Sequence, residues 1–145
     1  MDLYLIDVQY GTPEYDELVR LRTDVLRKPL NMEFTIEQLS NEYNDYHFGF
    51  YDKNLNLIGC LIFNDLGDNL LKMRQVAIDF KHQNKGLGKK MVEQSEEWAR
   101  QHNYKKIELN ARDSAISFYK SLKYLETGPT FIEVSILHQK MYKNI

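Results

Sequence analysis

Hydrophobic positions along the chain change period several times, and each change marks an element. Leu3 to Val8 is aliphatic and β-branched, reads as a strand, and is closed by Tyr10-Gly11-Thr12-Pro13. Thr12 followed by Pro13 is a helix-start signature. Leu18, Leu21, Val25 and Leu26 then recur at helical spacing, which predicts an amphipathic helix from Pro13 to about Arg27, ended by Pro29. A shorter helix, Thr35 to Tyr43, takes Thr35 as its cap and turns Ile36 and Leu39 inward.

The period then falls to two. Tyr46, Phe48 and Phe50 alternate with His47, Gly49 and Tyr51, and Asp52-Lys53-Asn54 turns the chain into a strand from Leu55 to Phe63. Asp65 to Asn69 leads to a third strand, Leu70 to Ile78, completing an antiparallel meander. In this strand Leu71 and Met73 alternate with Lys72 and Arg74, but Val76 and Ile78 appear on the polar phase. The switch of apolar face predicts a bulge near Gln75.

Beyond a polar loop, Gly86 and Gly88 open a long helix whose inner face is Leu87, Met91, Ser95, Trp98 and Ala99, ending near His102-Asn103. Tyr104 to Leu109 is a strand, and Asp113 or Ser114 caps a short helix through Leu122. Tyr124 to Thr127 is a strand, Gly128-Pro129 a turn, and Phe131 to Tyr142 one final strand. The order is β-α-α-β-β-β-α-β-α-β-β, an α+β fold with a mixed, mostly antiparallel central sheet flanked by helices.

Composition narrows the picture. At 145 residues and 43% hydrophobic content, one core can remove about two-thirds of the unfolded surface from water, so residues 1–145 are expected to form a single domain. Nineteen Lys plus Arg against twenty-one Asp plus Glu give a net charge of −2, which carries no general footprint for nucleic acid or an anionic membrane. The single Cys60 makes no internal disulfide and reads as a buried core thiol. His47, His82 and His102 lack companions at ligand spacing, so no metal is expected. Asp2 stands where a secretory signal needs positive charge, and the longest apolar run, Leu57 to Phe63, is far short of the roughly 20 residues that span a bilayer. The expectation is a cytoplasmic protein.

The densest chemical signal is Gln83-Asn84-Lys85-Gly86-Leu87-Gly88-Lys89-Lys90, between a strand and a long helix. Glycine lets the backbone approach a ligand, and the first helical turn leaves N–H groups free for phosphate oxygens. A solvated lysine cluster beside a glycine-rich helix start is the competing reading. The window is not a Walker loop, since no Gly-Lys-Ser/Thr occurs. Nor is it the dinucleotide fingerprint, whose third glycine position is Met91 here.

Gln83-x-x-Gly86-x-Gly88 after a strand with a disrupted face resembles the pyrophosphate loop of the GNAT superfamily of acyl-CoA N-acyltransferases. Asn110 at a strand end followed by Ala115-Ile116-Ser117-Phe118-Tyr119 agrees with that family. The resemblance covers nearly the whole length in element order and is most specific over residues 70–125. Lys123 stands where the family has Gly. The segments Val25 to Leu30 and Phe131 to Met141 resemble a bacterial subgroup, with Val134, Ser135 and Leu137 in place of its acidic residue, Gly and Pro.

The resemblance implies an N-acetyltransferase that takes acetyl-CoA as its acyl donor and transfers the acetyl group to an amine by direct attack. Val76 and Ile78 would pair with the pantetheine through their backbones. The N–H groups of Gln83, Asn84, Lys85, Gly86, Leu87, Gly88 and Lys89 would hold the pyrophosphate, and Asn110 and Ser117 would contact the cofactor from the other side. Tyr119 matches the tyrosine that protonates the departing thiolate; its competing reading is a helix tyrosine packed beside Phe118.

An attacking amine must be neutral, and an alkyl amine with a pKa near that of lysine, about 10.4, is protonated at neutral pH, so a base is needed. Subgroup resemblance offers Glu133 and His138, which alternation along one strand places on opposite faces. Each also reads as an ordinary surface acid or strand-end histidine. Arg22, Arg27 and Lys28 are candidates for an anionic part of the acceptor, or solvated cations. Implied partners are acetyl-CoA and an amine of small-molecule, peptide or protein kind, with a second copy of the chain as a further candidate. A non-catalytic acyl-CoA sensor is the alternative function.

Overall fold

The alternating segments become one mixed sheet and the helical segments the layers on either side of it. The computed structural model describes residues 2–145. Its elements are β1 (Leu3–Val8), α1 (Pro13–Arg22), α2 (Ile36–Ser40), β2 (Tyr46–Asp52), β3 (Leu57–Gly67), β4 (Leu70–Ile78), α3 (Leu87–Gln101), β5 (Lys106–Arg112), α4 (Ile116–Ser121), β6 (Leu125–Glu126), β7 (Phe131–Glu133) and β8 (Ile136–Asn144). The sheet order is β1-β2-β3-β4-β5-β8-β6, with β7 added to β8. Every pairing is antiparallel except β4 with β5.

Each face of the sheet has its own apolar layer. Phe48, Phe50, Leu61, Phe63, Leu71 and Met73 pack with Met91, Val92 and Ala99 of α3 and with Tyr119 of α4. Val8, Tyr51, Cys60 and Ala77 pack instead with Tyr15 and Leu18 of α1. Strand β2 is buried on both faces, which its alternation of aromatics with His47, Gly49 and Tyr51 had concealed. Among the described residues no helix is long and apolar enough to cross a membrane.

Local signals account for most boundaries. Thr12 caps α1, accepting from the Tyr15 N–H at 3.2 Å, with Pro13 at the first position. Thr35 and Gln38 form a reciprocal capping box on α2. The expected helix to Arg27 changes pitch: a π-helical turn covers Thr23–Arg27, and Pro29 lies inside a 3-10 turn, Lys28–Leu30, rather than after the last turn. Ile36, expected to face inward, is 88% exposed: α2 is only five residues long, and Leu39 is its one partly buried apolar side chain, with the Leu39 carbonyl accepting from the Tyr10 hydroxyl. Leu55 lies in the hairpin turn at φ 62°, so β3 starts at Leu57. Strand β5 starts at Lys106 and continues to Arg112.

The largest correction concerns the C-terminal strand. Phe131 to Tyr142 is not one strand but the hairpin β7–β8, turned by Val134 (φ 46°) and Ser135 (φ 63°). Both positive φ values match a two-residue type I′ turn, which usually carries Asn-Gly. Phe131 pairs with His138 and Glu133 with Ile136, so Phe131, Glu133 and His138 share a face. The expected opposition of Glu133 and His138 fails for that reason.

Candidate functional site

The parallel pair supplies the opening. β4 and β5 pair only from Leu70↔Lys106 to Met73↔Leu109. Beyond Leu109, β5 follows β8 through Arg112↔His138 and leaves β4. On its other edge β4 carries the bulge read from the phase switch: Cys60 pairs with Ala77 and Ile62 with Arg74. Gln75 and Val76 thus oppose Leu61 alone, with Gln75 at φ 54°. The fork forms a cleft of about 460 Å³ whose lining includes Val76, Asn110, Tyr119, Glu133 and His138.

At the helix side of the fork lies the glycine loop that opens α3. Gly86, at φ 75°, is the N-cap of α3, with no side-chain cap and no acid in the first turn. A Cβ at Gly86 would have open space around it, so it is the left-handed backbone conformation that favours glycine there. Asn84 also has positive φ, 62°. Among the described residues, none of the N–H groups from Asn84 to Lys89 donates to a protein acceptor. Such a run of free donors at the positive end of a fifteen-residue helix has the geometry that suits an anion. The N–H of Gln83 is instead turned back to the Phe80 carbonyl at 3.5 Å. Its side-chain amide donates to the Ile78 carbonyl at 2.9 Å, tying the loop to the end of β4. Lys85 and Lys89 are exposed beside the loop. Ser117 is exposed on α4 and lies outside the cleft lining, while its neighbour Phe118 packs close to Gly88.

Tyr119 is the buried phenol of the cleft. It is 7% exposed and packs edge-on against Phe118 and Tyr124, with ring centroids 5.0 and 5.7 Å away. Its hydroxyl makes no hydrogen bond within the described residues, and burial alone pushes its pKa well above the usual phenol value. The group stays protonated throughout the neutral range. Cys60, pushed up to about 12 by burial, is a core thiol on the other face of the sheet.

His138 has a defined tautomer. Its Nδ1 lies 2.8 Å from the Ile136 carbonyl, an acceptor, so Nδ1 carries the proton and Nε2 of the neutral ring is the basic nitrogen. The ring is 5% exposed and stacks on Phe131 at 5.7 Å. Glu133 lies on the same face but is exposed.

The three cations singled out in the sequence separate cleanly. Arg22 is consumed by a buried ion pair: its Nη2 lies 2.7 Å from both oxygens of Glu42. Lys28 pairs with Asp24 at 2.8 Å in solvent. Arg27 alone reaches the cleft, where Lys72, Arg74 and Arg112 join it. Sequence reading missed these last three. Lys72 and Arg74 sit on the polar phase of β4 and Arg112 ends β5, and nothing local signals that the fork gathers them.

The sheet is thus forked at its parallel pair, with a bulge on one arm and a free helix N-terminus at the mouth. The profile of the Acetyltransferase (GNAT) family matches residues 15–124. The chain belongs to this family, whose members transfer acyl groups from acyl-CoA. Solved structures share the fold over almost their whole length. A Lactobacillus plantarum chain classed as an N-acetyltransferase is 19% identical with a TM-score of 0.86, covering 98% of this chain and 97% of that one. An acyl-CoA N-acyltransferase from Pseudomonas aeruginosa is 16% identical at 0.80, covering 98% and 99%. A GNAT acetyltransferase from Elizabethkingia anophelis, solved with acetyl-CoA bound, is 14% identical at 0.76, covering 99% and 98%.

Proposed function

We propose that residues 1–145 act as one catalytic domain that transfers an acetyl group from acetyl-CoA to an amine by direct attack in a ternary complex. The observation that supports this most strongly is one cleft lined by the Val76 bulge, the unpartnered Tyr119 phenol and His138 with a basic Nε2.

In this reading the N–H groups from Asn84 to Lys89 hold the pyrophosphate, with Lys85 and Lys89 adding charge. The pantetheine runs opposite Asn110 along the edge of β4 at Val76 and Ile78, where the Ile78 carbonyl is already held by Gln83. Ser117 contacts the cofactor from outside the cleft, and Gln83 holds the loop in place. The incoming ammonium first loses one proton to solvent water; the amine lone pair then forms the C–N bond at the thioester carbonyl, whose oxygen takes the developing charge against the backbone N–H at Val76. The proton of the resulting ammonium passes to His138 Nε2. As the adduct collapses, the C–S electron pair leaves on sulfur. Tyr119 donates a hydrogen bond to that sulfur; full proton transfer to a thiolate with a pKa of about 8.5 runs uphill from this phenol. The proton taken from the amine therefore completes the thiol, and no covalent enzyme intermediate forms. Glu133, at the rim of the same face, attracts the incoming ammonium.

The test is CoA release from acetyl-CoA across a panel of amines. Wild-type protein is expected to release CoA with at least one amine. Tyr119→Phe, which removes one hydrogen-bond donor to the developing charge on sulfur, is expected to lower kcat by about a hundredfold with the KM for acetyl-CoA unchanged. Binding of acetyl-CoA without release above background for any amine would favour the sensor reading, and unchanged kcat in Tyr119→Phe would remove its role.

A further inference from the structure

The charges lining the cleft do not balance. Arg27, Lys72, Arg74 and Arg112 face it against one carboxylate, Glu133, in a chain whose net charge is −2. The basic loop at α3 is elsewhere, so these four cations are additional to the pyrophosphate cradle. Among the described residues, none of the four lies within ion-pair distance of a carboxylate. Arg27 is the most telling. It is 9% exposed, and its guanidinium carbon lies over the Phe34 ring at 4.4 Å from the centroid, yet it donates no hydrogen bond within the described residues. Arg22 occupies the same ring at 4.5 Å, but Glu42 neutralises it. Arg112 spends one donor on the Leu26 carbonyl at 3.0 Å, beside Arg27. Burial and the neighbouring Arg112 and Arg22 hold the Arg27 pKa below the ordinary guanidinium value, and Arg112 is likewise lowered by burial.

Guanidinium keeps its charge even so, and the Arg27 donors, which line the cleft without a protein partner, are open to an anion that enters it. Arg27 is pre-positioned by Phe34 and presents a planar fork, the geometry that matches a carboxylate with two parallel hydrogen bonds. From this cluster we infer that the acceptor is a small amine that itself carries a carboxylate, held by Arg27 with Arg112 and Arg74 adding attraction, while its nitrogen meets the thioester. The inference rests on the acyltransferase reading of the same cleft and names the acceptor's class. Glu133, nearby on the cleft lining, repels a phosphate dianion more strongly than a monoanion, which favours the carboxylate. A polyamine without an anionic group would place further positive charge among four cations.

Product binding tests this without requiring turnover. Protein saturated with CoA is titrated by calorimetry with matched amides: N-acetylphenylalanine against N-acetylphenethylamine, N-acetylglycine against N-methylacetamide, and N-acetyl-β-alanine against N-ethylacetamide. N-acetylated phosphoethanolamine is run as the phosphate arm. In at least one pair the carboxylate member should bind at least about tenfold more tightly, the scale of a charged hydrogen-bonded pair. Arg27→Gln should abolish that preference with acetyl-CoA affinity unchanged. Exposed Arg74→Gln, which disturbs no packing, should weaken it in the same direction and covers the case in which Arg27→Gln does not fold. No preference in any pair, a stronger phosphate arm, or a preference that survives in both variants overturns the inference. Failure of acetyl-CoA itself to bind overturns the acyltransferase reading beneath it, whereas failure confined to the pairs leaves that reading standing.

Discussion

Replacing Glu42 by Gln keeps the side-chain shape and removes one charge from the most buried ion pair in the fold. Arg22 is 1% and Glu42 4% exposed, and both Glu42 oxygens lie 2.7 Å from Arg22 Nη2. Tyr15 also donates to Glu42 at 2.9 Å, while Arg22 Nε has no partner at all. Little is left to solvate the guanidinium once the carboxylate is gone. Breaking a buried pair from one side costs about 3–5 kcal/mol, and the retained amide oxygen places this variant near 3 kcal/mol. Against a domain stability of about 5–15 kcal/mol, that is a fifth to more than half of the total. Urea denaturation followed by Trp98 fluorescence and circular dichroism reads it directly, with a lower midpoint at an unchanged slope. The double variant Arg22→Leu with Glu42→Leu, made in a Tyr15→Phe background so that no buried hydroxyl is left unpaired, should recover much of the loss. A loss below about 1 kcal/mol for Glu42→Gln, or a double variant no better than the single one, would refute the reasoning.

Burial pushes the phenols of Tyr15, Tyr51, Tyr104, Tyr119 and Tyr124 upward. In the unfolded chain they ionise near pH 10. Their raised folded values mean that the unfolded state releases protons first, so stability is intact below about pH 10 and falls as pH rises above it. Absorbance at 295 nm should show these five of the ten tyrosines ionising only as the fold is lost, and their titration near pH 10 in the native protein would contradict the burial. In the β7–β8 turn, Val134→Asn with Ser135→Gly replaces a β-branched residue and a serine at φ 46° and 63°. The change should stabilise by about 1 kcal/mol, read as a higher denaturation midpoint, and no gain would mean that the turn is not strained.

Some of the site was legible because its signal is local. The β4 bulge appears in sequence as Val76 and Ile78 moving to the polar phase, and the cradle appears as two glycines opening a helix. The hairpin was not legible. Val134-Ser135 lacks the Asn-Gly mark of its turn, and the apolar pattern Ile132, Val134, Ile136 runs through a two-residue turn without a break. Crossing such a turn pairs odd positions with even ones, so parity along a single strand separated Glu133 from His138 when the fold joins them. The fate of the three early cations was equally hidden. Only the tertiary position of Glu42, twenty residues from Arg22, neutralises one arginine and leaves Arg27 for the cleft.

The central claim is that this fork is a working acyl-CoA site, and calorimetric titration of acetyl-CoA into wild type and Gly86→Glu tests it most directly. The glutamate would project a negative charge from the open N-cap into the phosphate cradle at a backbone cost of about 1 kcal/mol, which a thermal melt would monitor. The account predicts saturable one-to-one binding by wild type and loss of binding in a folded Gly86→Glu. No binding by wild type, or unchanged affinity in the variant, would contradict it.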